Sequence, residues 1–442
     1  MYMNTFTQTD TIAAIATPLG VGGIGVVRLS GEGSEQIIKK IFKSKIENFE
    51  PNKIYHGWIH EDDTLVDEVV LLYFKAPNSF TGEDVFEIQC HGGINIVKKI
   101  LKLCLSNGAR LAERGEFSQR AFMNGKMDLS KAEAVLDLIH AKTDRFAQAS
   151  VLNLSGRLAE KIGLLRAEVL NLLSLITAAV DFPDDVDEPA YSQIEQIIES
   201  VIFSINEILG GSVSSNLMRE GVKVAIVGKP NAGKSSLFNA LLDANRAIVT
   251  EIPGTTRDVI QESIDIDGIP VVLIDTAGLR ESDDYIESIG INLTKETMEN
   301  SDIILYIYDL TCPECIEISH KNVIKVGSKA DLADLKSINK GVIAVSSTQK
   351  TGLEALKQEI KNNVAGNIPA ESDFCTNLRQ QACLKECKES LEKALEGCEN
   401  CDPQDLISID LKSALISLGE ITGEVVSEEI LDNIFSSFCI GK

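Results

Sequence analysis

The sequence predicts a multidomain chain: an α/β N-terminal domain, then an all-α domain into which a phosphate-loop α/β domain is inserted. Three observations predict it. A length of 442 residues with 44% hydrophobic content exceeds what one core usually organises. Helical apolar spacing dominates residues 130–210 and returns from Asn377 onwards. Between those stretches the pattern becomes strand, Gly-rich loop, helix and strand. Helix on both sides of an α/β block is the pattern of an insertion. The expected domains are 1–125, then a discontinuous helical domain of 126–217 and 369–442, with 218–368 inserted.

Within the first domain, residues 21–30 (VGGIGVVRLS), 66–74 and 84–90 are apolar runs of strand length. Residues 94–107 have helical spacing, with Ile94, Val97, Ile100, Leu101 and Cys104 on one face. The helical domain opens with Val151, Leu154, Leu158, Ile162, Leu165, Val169, Leu172 and Ile176, predicting one helix of about seven turns that stops at Asp181-Phe182-Pro183. Ile194, Ile197, Ile198, Val201, Ile202, Ile205 and Ile208 define the next helix, and Gly210-Gly211 with the Ser-rich residues 212–215 predict a boundary. Leu384, Cys387, Leu391 and Leu395 form the stripe of a helix in the second arm.

The net charge of −24 argues against a chain that grips nucleic acid over its whole surface, since phosphate contacts need a basic face. No run reaches the roughly 18 uninterrupted apolar residues of a membrane helix, and residues 1–10 lack the basic start of a signal peptide. The expectation is a cytoplasmic protein with no membrane association and reduced thiols. Ten cysteines include two CxxC pairs, Cys312/Cys315 and Cys398/Cys401, but they fall in different predicted domains, which disfavours a shared zinc site.

Residues 222–227 read as a buried strand that runs into 228–235 (GKPNAGKS) and a helix. This is GxxxxGK[ST] in its required setting, where loop amides and a helix N-terminus surround phosphate oxygens. Asn231, Ala232, Gly233, Lys234, Ser235 and Ser236 are the expected contacts, with Lys234 on the β- and γ-phosphates and Ser235 on Mg²⁺. Downstream, strand 270–274 ends in Asp275-Thr276-Ala277-Gly278, where an acid serves the Mg²⁺ side and the Gly278 amide meets the γ-phosphate. Between them lies the loop Thr250, Glu251, Ile252, Pro253, Gly254, Thr255, Thr256. A further strand ends in Ser328-Lys329-Ala330-Asp331, and another leads to Ser346-Ser347. A carboxylate at Asp331 accepts from guanine N1–H and N2–H₂, a pair that adenine does not offer. The order therefore predicts a P-loop GTPase domain of Ras-like, mostly parallel sheet that binds GTP and GDP. Ser328 stands where asparagine is commonest and lacks the amide that reaches the base edge. Leu279 stands where many GTPases place the glutamine that orients water, so another group must do that work, with candidates in the acidic stretch 281–287.

With these motifs in place, the sequence resembles the MnmE (TrmE) tRNA-modification GTPases over essentially its whole length. The resemblance is carried by 10–28 (DTIAAIATPLGVGGIGVVR), 78–93 (NSFTGEDVFEIQCHGG), 114–129 (RGEFSQRAFMNGKMDL), 228–237, 254–258, 275–281 (DTAGLRE) and 438–442 (FCIGK). It implies an N-terminal domain that dimerises and binds 5-formyltetrahydrofolate, with Arg28, Glu87, Lys126 and Lys442 at matching positions. It implies K⁺ activation, with Asn231, Thr250, Ile252 and Thr255 as K⁺ positions, Thr256 as a second Mg²⁺ ligand and Glu287 orienting the water. It further implies a homodimer working with an FAD-dependent, MnmG-type partner on C5 of the wobble uridine of certain tRNAs. Cys439 matches the family's C-terminal cysteine, read either as a group acting near folate and substrate or as a buried thiol. The competing reading is a regulatory or assembly GTPase, for example a ribosome-associated one, without part in modification chemistry.

Overall fold

In the computed structural model the described residues are 10–44, 48–244, 260–275, 297–312, 320–333, 341–365 and 374–442. They divide into two compact units, 1–136 with 419–442, and 137–418. Residues 419–442 thus fall with the N-terminal unit, whereas periodicity alone grouped them with the helical arm.

The first unit is built on seven strands: β1 (Ile12–Ile15), β2 (Ile24–Ser30), β3 (Phe42–Lys43), β4 (Ile54–Glu61), β5 (Thr64–Phe74), β6 (Val85–His91) and β7 (Arg110–Leu111). Their order is β3-β4-β5-β6-β2-β1-β7. β4 alternates exposed and buried residues, as a sheet with one covered face requires. α1 (Ser34–Ile41) and α2 (Ile94–Ser106) supply the cover. α2 buries Val97, Ile100, Leu103 and Cys104, while Ile94, its first residue, is 38% exposed and lies off that face. α3 (Glu116–Met123) and α4 (Leu129–His140) follow. The C-terminal helix Glu428–Ser436 returns to α3, with Gly115 (φ 66°) so close to Phe435 that a Cβ would fall 2.5 Å from its carbonyl oxygen.

An ion network holds α3 to the strands. Arg120 donates to Asp10, Glu83 and Glu116, and Arg110 to Asp10 and Glu116. Ser30 meets Thr81 at 2.7 Å and Glu83 at 2.6 Å, so the network also fixes residues 81–83. Burial would raise the Glu116 carboxyl, but hydrogen bonds from Arg110, the Glu113 amide and Arg120 win and hold it below its ordinary 4.5. A depressed folded pKa gives stability that is complete above 4.5 and lost as pH falls through the folded value. We expect Tm to fall steeply with acid below about pH 4.5. Glu116→Gln should flatten that dependence while lowering Tm at neutral pH, read by thermal melts across pH.

The second unit holds α5 (Asp144–Leu154), α6 (Arg157–Asp181), α7 (Tyr191–Gly210) and α8 (Ser212–Glu220). The single seven-turn helix expected across 151–176 is two helices. Gly156, with φ 100°, breaks it, and Val151 beyond the break is 49% exposed. The Gly-Gly-Ser stretch does not end helical structure; α8 begins there and stops at Gly221 (φ 82°). By length and composition Arg157–Asp181 and Tyr191–Glu220 could cross a bilayer (mean hydropathy 1.6 and 1.3), yet α6 and α7 each bury one stripe inside the unit. α9 (Lys234–Ala244) and α10 (Leu353–Ala365) flank a six-stranded sheet. Its strands are β8 (Val222–Gly228), β9 (Ile260–Ile266), β10 (Ile269–Asp275), β11 (Ile303–Asp309), β12 (Val323–Ser328) and β13 (Val342–Ala344), in the order β13-β12-β11-β8-β10-β9. All neighbours are parallel except β9–β10. β10 is buried at every residue and β11 at all but its last, as central strands covered on both faces must be. α11 (Leu378–Glu399) starts with an Asn377/Gln380 capping box and buries Leu384, Cys387 and Leu391.

Candidate nucleotide site and N-terminal basic pocket

The candidate nucleotide site lies at the C-terminal ends of β8, β10, β11 and β12, where open α/β sheets present their ligand crevice. β8 and β11 approach so closely that a Cβ on Gly228 would lie 2.2 Å from the Ile307 carbonyl oxygen, so only glycine allows the loop to start there. The loop then turns through Asn231 (φ 63°) and Gly233 (φ 92°) into α9. Lys234 is 9% exposed, and its ammonium donates to the Gly228 and Lys229 carbonyls at 2.9 Å each, arching over the loop. Ser235 Oγ donates to Asp275 Oδ2 at 3.2 Å. The Ser235 hydroxyl and the Asp275 carboxylate are hard oxygen donors that would suit Mg²⁺.

The residues expected on the base side converge from other strand ends. Asp331 Oδ1 accepts from Ser346 Oγ at 2.6 Å, and this bond is the main cause holding its carboxyl below the usual range. Ser346 is buried and locked by a bridge to Thr351, and Ser347 beside it is half-buried. Lys329 (φ 56°) turns its ammonium to Asp309 at 2.5 Å. Burial would raise the Asp309 carboxyl, but this bond and those from Thr311 keep it low. Ser328, 6% exposed, donates toward the Ala232 carbonyl at 2.7 Å and the Tyr308 carbonyl at 3.1 Å. Asn231 and Ser236 are exposed on the loop side. Thr250, Glu251, Ile252, Pro253, Gly254, Thr255, Thr256, Thr276, Ala277, Gly278 and Glu287 lie outside the described residues.

In the N-terminal unit, Arg28 and Glu87 face each other across the β2–β6 ladder. Arg28 Nε donates to Glu87 Oε1 at 2.8 Å, and its Nη1 reaches the Gly441 carbonyl at 3.3 Å. The guanidinium stacks 5.6 Å from the ring centres of Phe80 and Phe117, and Lys442 Nζ lies 5.9 Å from that of Phe80. Burial, with Arg28 nearby, depresses the Lys442 ammonium against the opposing pull of Glu87. The tail is fixed by an Arg114–Ile440 bridge, a Phe117 amide bond to the Lys442 carbonyl, and Gly441, where a Cβ would fall 2.3 Å from the Ile15 oxygen. The structure thus brings Arg28, Glu87 and Lys442 together. Lys126 instead donates to the Pro77 carbonyl at 2.8 Å, supporting the segment that carries Phe80. The Cys439 thiol is exposed, which overturns its reading as a buried thiol. Sequence reasoning missed Phe80, Phe117 and Asp309. The two aromatics sit inside the 78–93 and 114–129 segments, but no local spacing marks them as ring partners of Arg28.

Residues 129–439 match the family described as MnmE helical domain, and residues 11–126 the family described as GTP-binding protein TrmE N-terminus. The chain is 44% identical over 455 residues to tRNA modification GTPase MnmE of Clostridioides difficile (strain 630), covering 98% of this chain and 99% of that protein. It is 44% identical over 460 residues to tRNA modification GTPase MnmE of Thermoanaerobacter pseudethanolicus, with 98% and 99% covered. Against tRNA modification GTPase MnmE of Aquifex aeolicus (strain VF5) identity is 43% over 447 residues, with 98% and 100% covered. With both family matches in register and that identity sustained from end to end, the chain belongs to the MnmE (TrmE) family of tRNA modification GTPases.

Proposed function

We propose that this GTPase is K⁺-activated and that its hydrolysis cycle drives tRNA modification. As a homodimer in the cytoplasm with an FAD-dependent, MnmG-type partner, it adds a (carboxymethyl)aminomethyl group to C5 of the wobble uridine, the one-carbon unit coming from 5-formyltetrahydrofolate. The observation that carries this reading is the Arg28–Glu87–Lys442 cluster beneath Phe80, in the same compact unit as the TrmE-type segment. A carboxylate beside two cations and an aromatic face suits a flat heterocycle with hydrogen-bonding edges and an acidic tail. Arg28, Glu87 and Lys442 would hold the folate directly, with Lys126 bracing the neighbouring segment, and Cys439 would act on the substrate side.

Ser235 and Thr256 would hold Mg²⁺, while Asn231, Thr250, Ile252 and Thr255 would hold K⁺, whose charge offsets that developing between the β- and γ-phosphates. Glu287 would orient the water in place of the glutamine that Leu279 replaces. A net charge of −24 leaves the basic tRNA surface to the partner. Two readouts test the proposal. Mass spectrometry of tRNA from cells lacking the gene should show loss of the C5-modified wobble uridine; an unchanged nucleoside would favour the regulatory reading. Hydrolysis in K⁺ should exceed that in Na⁺ by up to about 10³–10⁵, the range an arginine finger supplies, and equal rates would sink the K⁺ assignment.

A further inference from the structure

Ser328 has one hydroxyl proton, and its oxygen lies within hydrogen-bond distance of two backbone carbonyls, Ala232 in the phosphate loop and Tyr308 at the end of β11. A hydroxyl that donates to either has nothing left to donate to a base, and Ser328 is 6% exposed. Two other side-chain donors at this end of the sheet are also drawn to carboxylates. Ser346 Oγ donates to Asp331, and the Lys329 ammonium is drawn to Asp309. Guanine presents donors on its N1/N2 edge and acceptors at O6 and N7. The Asp331 carboxylate suits the first edge, while none of these side chains offers N7 a donor.

We infer that this chain recognises guanine without reading N7, and that Ser328 is a positioning residue that pins the phosphate loop to the base-recognition strand. The inference rests on the reading of the site as a guanine-nucleotide site. Discrimination then falls on the N1/N2 edge, through Asp331 as oriented by Ser346. Where a side-chain amide stands at the Ser328 position, one group serves as both pin and base reader. Here the shorter side chain serves only as the pin.

The test is competition binding to the full-length chain with Mg²⁺, using GTP, ATP, 7-deazaguanosine triphosphate and inosine triphosphate. 7-Deazaguanosine triphosphate should bind within about threefold of GTP, because the atom it lacks as an acceptor has no partner. Inosine triphosphate, without the 2-amino group, should bind about 10- to 100-fold more weakly, the loss of one charge-assisted hydrogen bond. Ser328→Ala should weaken GTP and 7-deazaguanosine triphosphate by the same factor, since only the pin is lost. Ser328→Asn should open a gap of about tenfold between them, a single new hydrogen bond to N7. A tenfold penalty for 7-deazaguanosine triphosphate in the native chain, with GTP still preferred over ATP, would overturn the inference alone. Equal binding of ATP and GTP would overturn the guanine reading itself.

Discussion

Lys234→Ala should lower the GTP hydrolysis rate by at least about 100-fold, the loss expected on deleting one preorganised charge from a phosphoryl-transfer site. The geometry gives the reason. The ammonium is nearly buried and is held by two loop carbonyls, so its charge is already in place when phosphate oxygens arrive. A fixed charge costs no reorganisation in the transition state, where negative charge on the transferring group grows. Lys234→Arg should fail almost as badly, because a planar fork does not fit a loop shaped around a point charge. Single-turnover hydrolysis at saturating GTP separates the chemical step from binding. The second unit should stay folded, because its core strands β8, β10 and β11 do not depend on the ammonium. A variant that hydrolyses GTP near the native rate would remove the phosphate loop from the chemistry.

Much of this site was legible in the sequence because its parts are local. Gly228, Gly233, Lys234 and Ser235 sit within eight consecutive residues, and backbone sterics tie those residue types to that turn. Asp275 and Asp331 were legible because each follows an apolar strand run at a fixed offset. What the sequence hid is long-range. Arg28 and Phe80 are far apart in the chain, and only the β2–β6 register and the ion network around Arg120 bring the segment carrying Phe80 to the guanidinium. The return of residues 438–442 to α3 was equally invisible, since apolar periodicity reports which face is buried and not against what. The split of the long helix at Gly156 is hidden from the sequence for a different reason. Apolar spacing on both sides keeps phase across the break, so a stripe alone cannot reveal it. Ser328 stood out by type, but its role as a pin required the positions of two carbonyls from other strands and loops.

Asp331→Asn should exchange one base for another with little harm to the fold. On the proposed reading guanine would turn two donors, N1–H and N2–H₂, toward this position, and a carboxylate accepts both. An amide offers one acceptor and one donor, so a donor now faces the guanine 2-amino group. One charge-assisted hydrogen bond is lost outright and the other becomes neutral, so at about 1.5–3 kcal/mol for each charge-assisted bond the cost to GTP is at least about tenfold and at most about 10⁴ in affinity. Xanthine carries a carbonyl at C2 in place of the amino group, so the new donor meets an acceptor and xanthosine triphosphate should bind the variant better than GTP. The geometry favours a clean exchange, because Ser346 Oγ donates to Asp331 Oδ1 and an asparagine oxygen can accept the same bond. Ser346→Ala, by contrast, should weaken both nucleotides without reversing their order, since it frees the reading group instead of changing what it reads. Titration of both variants with both triphosphates checks this. Retained GTP preference in Asp331→Asn would mean that the 2-amino edge is read elsewhere, and the guanine site would then have to be sought away from the end of β12.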